Sequence, residues 1–170
     1  MNQQEKYQAF EALHQRSGTF VIPNPWNAGT AKMLESLWFE ASATTSAGLA
    51  FSKRCLDSTT VMSRDETLDE ARTIVAATGL PVSADLGNSF GDAPEICAET
   101  MKAACSVGLV GGSIEDFTED RNDSIYAFDH AVERVSAAAE ASRKLPIVLT
   151  ARADNYLYGK PDLDDTIKRL

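Results

Sequence analysis

Three apolar runs in this chain each stop on a charged residue, and those residues are of types that can do chemistry together. VSAD ends in Asp85, GGSIED in Glu115 and Asp116, and VLTAR in Arg152. Each run reads as a short buried strand, and helix-patterned segments separate them. In α/β proteins with parallel strands, the carboxyl ends of the strands form the ligand face. Two acids and an arginine gathered there suit a divalent cation and an anionic, oxygen-rich substrate. Carboxylates are hard oxygen ligands of the kind magnesium takes, and a guanidinium clamps a carboxylate or phosphate through a two-pronged fork.

Each residue also has a plainer reading. Asp85 precedes LGNSFGD, where Gly87 and Gly91 allow a tight turn, and an aspartate there can simply cap it. Glu115 and Asp116 can mark no more than the point where the strand meets solvent. Alternation nonetheless sends them to opposite sides, so at least one faces the mouth of the sheet. Arg152 can be a structural ion-pair partner of Glu115 or Asp85. What favours a site is that charge recurs at the same rim. Two further segments are weaker candidates: SAGLA (46–50), read as a loop whose backbone N–H groups face an anion, and Asp57 in the polar stretch SKRCLDSTT. His14 and His130 fall in or beside helices away from the rims, and no serine–histidine–acid set supports a hydrolytic triad.

The elements that must position these residues follow from periodicity. An opening helix over about 3–15 precedes TFVIPN (19–24), read as the first strand. A helix over about 28–37 leads to WFEASATT (38–45), the second. Ser63 and Glu66 form an S-x-x-E capping box for a helix with Leu68, Ala71 and Val75 on one face. PVSAD is the third strand, and Asp92 with Pro94 and Glu95 is expected to cap the helix that runs to about Ser106. GLVGGSIED is the fourth strand. After the polar loop FTEDRNDS, Val132, Val135 and Ala139 mark one more amphipathic helix, and PIVLTAR is the fifth strand; DLDDTIKRL begins another helix. Strand and helix alternate with no hairpin signal, which implies parallel strands joined by helical crossovers. A doubly wound open sheet and a closed (β/α)8 barrel both fit, although a closed barrel ordinarily takes about 250 residues.

Composition narrows the function classes. The chain has 170 residues and a net charge of -9, with no basic stripe, which argues against nucleic acid or an anionic membrane as a partner. No apolar run approaches the roughly 20 residues of a membrane span, and the polar N-terminus lacks a signal-peptide core, so a cytoplasmic location is expected. Cys55, Cys97 and Cys105 lack zinc spacing; Cys97 and Cys105 share a helix face with Met101 and Ala104, as core residues do.

Taken together, NPWNAGTA, TTSAGLAFS, SADLGNSFGD, GGSIED and LTARADNYLYG resemble, in order and spacing, the isocitrate lyase and phosphoenolpyruvate mutase superfamily. The resemblance runs along nearly the whole chain. It implies a (β/α)8 TIM-barrel type of α/β fold, with residues 1–170 as a single partial barrel domain holding the first five β/α units. It also implies a Mg²⁺-dependent enzyme that makes or breaks C–C or C–P bonds in a small 2-oxo or 2-hydroxy acid through an enolate. Carried over by position, Asp85 would hold the metal and Glu115 would assist it. Arg152 would bind the substrate carboxylate; Ser46, Gly48 and Leu49 would hold the other anionic group or the enolate oxygen; and Asp57 matches an acid near the reacting centre.

Three departures temper the match. The family commonly has a second acid two residues after the first metal-site aspartate, where this chain has Gly87, so weaker or altered Mg²⁺ binding is expected. The gating loop lacks the lyase cysteine, and only Arg121 and Asn122 stand as rough substitutes for the mutase's lysine and asparagine. Family barrels continue through three more strands, and their last helix often swaps between subunits, implying a homo-oligomer for a full-length chain. The competing readings are therefore a lyase, mutase or oxaloacetate-type hydrolase; a catalytically impaired relative that binds a small anion or acts as an interaction domain; and an unrelated open-sheet binding protein whose strand order reverses at a switch point.

Overall fold

The computed structural model describes residues 1–59, 61–120 and 122–170. Four strands, β1 (Ser42–Ala43), β2 (Val82–Asp85), β3 (Gly111–Glu115) and β4 (Val148–Arg152), form one parallel sheet in the order β1-β2-β3-β4. Strand order follows chain order without reversal, which removes the switch-point sheet and leaves the sequential winding of a barrel wall.

Helices α1 (Gln3–Gln15), α2 (Ala28–Ser36), α3 (Ser46–Ser52), α4 (Arg64–Ala77), α5 (Pro94–Ser106), α6 (Phe128–Ser142) and α7 (Leu163–Arg169) complete the described elements. The expected box at the start of α4 is present: the Glu66 N–H donates to Ser63 Oγ while the Glu66 carboxylate accepts from the Ser63 N–H. The main core lies between the sheet and the outer helices. Leu68, Ala71 and Ile74 of α4 meet Cys97, Met101 and Ala104 of α5 over Val82, Ala84 and Ile114. Cys97 and Cys105 are buried free thiols, as core packing requires. On the other side of the sheet, Phe10 and Leu13 of α1 pack with Ala41 and Val110. This approach needs Gly111, because a Cβ there would sit 2.7 Å from both Phe10 Cε1 and Ser83 Oγ. No helix among the described residues is long and apolar enough to cross a membrane.

Several local expectations are corrected. Residues 19–24 are not a strand; they meet β1 where the Ala43 N–H donates to Pro23 O at 3.1 Å and Asn24 Nδ2 donates to Ala43 O at 3.0 Å. Pro23 and Pro25 carry no N–H with which to build a ladder. The sheet therefore shows four strands among the described residues, not five, and the one expected over 38–45 is only the two residues of β1. Asp92 does not cap α5: the cap is Ala93 with no side-chain bond, Pro94 opens the helix, and the Asp92 carboxylate instead accepts from the Tyr126 hydroxyl. In α6 the buried face is Ala131, Arg134, Ala138 and Ala141, while Val132 is 47% exposed. SAGLA is the start of α3 and not a loop, because the Thr45 hydroxyl caps it by accepting from Gly48 N–H. PIVLTAR pairs as expected, but Thr150 and Ala151 are exposed.

Candidate active site

Strand register brings the three rim charges together. Glu115 and Arg152 are direct partners across β3 and β4, so their side chains share a face. Asp85 pairs with Ser113, two residues before Glu115, and therefore points to that same face. Arg152 Nη1 lies 2.8 Å from Glu115 Oε1 and 3.6 Å from Asp85 Oδ1, while Nη2 donates to Asp154 Oδ2 at 3.0 Å. The plain ion-pair reading of Arg152 is thus fulfilled with both acids at once. Asp116 turns the other way, where it accepts from the Asp154 N–H and pairs with Arg169 of α7 at 3.1 Å.

The cluster borders a cavity of about 60 Å³ lined in part by Ser46, Leu49, Asp57, Asp85, Glu115 and Tyr158. Asp85 Oδ2 accepts from the Ser46 N–H at 3.1 Å and from its hydroxyl at 2.8 Å, and the hydroxyl lies 3.4 Å from Asp57 Oδ2. Ser46 therefore joins the two acids. The N–H groups of Gly48 and Leu49 donate to Thr45 Oγ1 and Thr45 O, so the helix itself uses them. Leu49 offers the cavity an apolar wall. Asn122 is bound within its own turn, its N–H donating to Asp120 Oδ1 at 2.8 Å, and does not line the cavity. Arg121 lies outside the described residues.

Charge is unbalanced here. Burial pushes the Glu115 carboxyl up to about 8; Arg152 opposes the rise, and Asp85, Asp154 and Asp57 add to it. The 2.8 Å ion pair alone would favour the ionised form, but burial and three neighbouring acids outweigh one guanidinium. Asp57 is raised by desolvation, with Asp85 and Glu119 adding to it against the Ser46 hydrogen bond. Asp154 is raised by burial against the pull of Arg152. Burial works against the Arg152 charge, yet Glu115, Asp154 and Asp85 hold its pKa above the ordinary value.

Among the described residues no group of three or more His, Cys, Asp or Glu side chains is arranged to hold a metal. Asp85 and Glu115 supply two carboxylates, which is what magnesium commonly takes when water fills its other positions. The excess negative charge of the cluster suits such a cation. Gly87 adds no third acid: it has φ +52°, and a Cβ there would meet Thr59 Cγ2 at 3.1 Å.

Sequence reasoning passed over several residues. Phe117 and Tyr158 stack at 3.7 Å between ring centroids and form one wall of the cavity; burial and the nearby acids push the Tyr158 phenol up to about 12. Glu119, inside the loop scanned for a gating cation, also lines the cavity. Arg134 is 2% exposed. Its Nη1 donates to Gly91 O and Asp92 O, each at 2.6 Å, and its Nη2 donates to Asn88 O. It thereby holds the turn after β2, in which Ser89 and Phe90 both have positive φ (67° and 64°). Of the residues expected to mark the inner face of α6, Val135 packs against the core while Val132 is exposed, and the Tyr126 ring lies 4.2 Å from the Arg134 guanidinium carbon.

Comparison with known proteins gives the family and the fold. A structure from Burkholderia cenocepacia J2315, described as a candidate lyase/mutase, superposes with a TM-score of 0.94 at 56% identity, over 99% of this chain and 60% of that one. The 2-methylisocitrate lyase of Escherichia coli K12 is 26% identical over 152 residues, which is 86% of this chain and 51% of the lyase. Phosphonopyruvate hydrolase, solved with oxalate and Mg²⁺, has the same fold at 20% identity, with a TM-score of 0.89 over 99% of this chain and 58% of that one. The chain spans about half the length of the curated relatives it matches. The family model for phosphoenolpyruvate phosphomutase matches residues 10–170, and the chain accordingly belongs to the phosphoenolpyruvate phosphomutase family.

Proposed function

We propose that this chain carries the carboxylate-binding and metal-binding part of an enzyme that cleaves or forms a C–C or C–P bond in a small 2-oxo or 2-hydroxy acid. The observation that carries the reading is the convergence of Asp85, Glu115 and Arg152 at the carboxyl ends of β2, β3 and β4, with Asp57 and Ser46 beside them. Phosphonopyruvate hydrolase, a protein of the same fold, was solved with oxalate and Mg²⁺, and that supports the choice of a small dicarboxylate with a divalent cation.

Asp85 and Glu115 would hold Mg²⁺, which supplies positive charge to an enolate oxygen when bound. Arg152 has five N–H donors, and its present contacts run through Nη1 and Nη2. A substrate carboxylate would take Arg152 donors that Glu115 and Asp85 now share. Ser46 fixes Asp85 through two hydrogen bonds and orients Asp57 toward the cavity. Burial raises Asp57, so its carboxyl is suited to holding a proton beside the reacting atoms and giving it up. The Phe117–Tyr158 stack and Leu49 give the cavity apolar surface beside these charges. The completed barrel, and the homo-oligomer implied for a full-length protein, belong to the same proposal.

A second reading, an anion-binding relative without turnover, is favoured by Gly87 in place of an acid and by Asn122 turned onto Asp120. One screen separates the two. Oxaloacetate, phosphonopyruvate and 2-methylisocitrate are offered with and without Mg²⁺. Turnover that EDTA and Arg152→Ala both abolish supports the enzyme; a folded chain that binds but turns over none of them supports the second reading.

A further inference from the structure

Glu119 ends in a ready-made anion cradle that belongs to a different loop. Its Oε2 accepts from the Ser58 hydroxyl at 2.9 Å, and its Oε1 accepts from the Thr59 N–H at 2.9 Å and the Thr59 hydroxyl at 2.5 Å. Thr59 Oγ1 also lies 3.2 Å from Asn88 Oδ1, which itself accepts from the Phe90 N–H, so the one hydroxyl proton can turn from Glu119 to the loop after β2. Three donors around one carboxylate is the recognition pattern of a bound anion, since hydrogen bonds to an ionised acceptor are the short, strong ones. Ser58, Thr59 and Glu119 line the same cavity as Asp85 and Glu115.

We propose that Ser58 and Thr59 form a second anion subsite for the far acidic group of a dianionic substrate, and that the Glu119 carboxylate occupies it as a built-in competitor. The inference rests on the reading of Arg152 as the clamp for the near carboxylate. The pocket then selects by length. A two-carbon diacid is held beside Glu115 and Asp85, where Arg152 meets them, and leaves Glu119 in place, whereas a four-carbon diacid reaches the cradle and must displace it. Glu119 and the arriving group carry the same charge and use the same donors, so they exclude one another.

The test is calorimetric titration of the full chain, in excess Mg²⁺, with oxalate and with succinate. Glu119→Ala is expected to tighten succinate by about tenfold, the equivalent of losing one competing charge-assisted contact, and to leave oxalate within about twofold. Thr59→Val added to Glu119→Ala is expected to erase that gain while oxalate still binds, which also shows that the variants remain folded. Unchanged succinate affinity in Glu119→Ala, or a gain that survives Thr59→Val, overturns the second subsite while oxalate binding leaves the Arg152 site standing. Failure of oxalate to bind any variant overturns both.

Discussion

Glu115 makes the stability of this protein depend on pH in an unusual direction. In the folded chain its carboxyl is pushed from 4.5 up to about 8, with burial as the leading cause and the side chain only 9% exposed. Between those two values the folded protein keeps a proton that the unfolded chain has released. The folded state therefore binds more protons across that window, and stability falls as pH rises through it. Each pH unit costs up to about 1.4 kcal/mol, and the full interval is on the order of 3–5 kcal/mol. Asp57 and Asp154 are raised as well and act with the same sign. Urea unfolding of metal-free protein should therefore give a free energy lower at about pH 8 than at about pH 5.5 by a few kcal/mol. Glu115→Gln should flatten this slope, matching the parent at the lower pH and exceeding it at the higher. Stability that is level or rises across the window, or a Gln variant with the parent's slope, would refute the argument that burial and neighbouring acids outweigh Arg152.

Other expectations concern the scaffold. Arg134→Met removes the donor from three carbonyls of the turn after β2, and should cost about 3 kcal/mol or more, a melting-point drop of roughly 6–12 °C by calorimetry. Gly111→Ala places a Cβ against Phe10 and Ser83 and should destabilise by about 1–3 kcal/mol in urea titrations; no measurable change would mean that α1 does not pack as described. Ser63→Ala removes the cap of α4 and should cost about 1 kcal/mol, with hydrogen exchange rising first at the start of that helix.

What the sequence made legible follows from what short-range patterns encode. The three rim charges were readable because each ends a short strand-forming run, and strand period decides which face a side chain takes. That logic separated Glu115 from Asp116, and the structure shows the two on opposite sides, one against Arg152 and the other against Arg169. The buried thiols Cys97 and Cys105 were readable for a similar reason, since both lie on the apolar face of α5. The 19–24 segment misled because Phe20, Val21 and Ile22 favour strands, while the effect of two prolines on pairing was given too little weight. SAGLA looked like a loop because its residues are small; the Thr45 cap just before it was the available signal. Arg134 and Glu119 were not readable at all. A buried arginine contradicts the apolar pattern of its helix and is explained only by carbonyls 42 to 46 positions away. The partners of Glu119 are 60 and 61 positions away, set by the folding of two loops.

The central claim is that Asp85, Glu115 and Arg152 form one Mg²⁺-supported carboxylate site. Titrating oxalate into the protein with and without Mg²⁺, alongside Arg152→Ala, tests it most directly. The account predicts binding that requires Mg²⁺ and weakens by about tenfold or more in Arg152→Ala, as loss of a charge-assisted fork demands. Oxalate binding that is equally tight without Mg²⁺, or undiminished in Arg152→Ala, would contradict it.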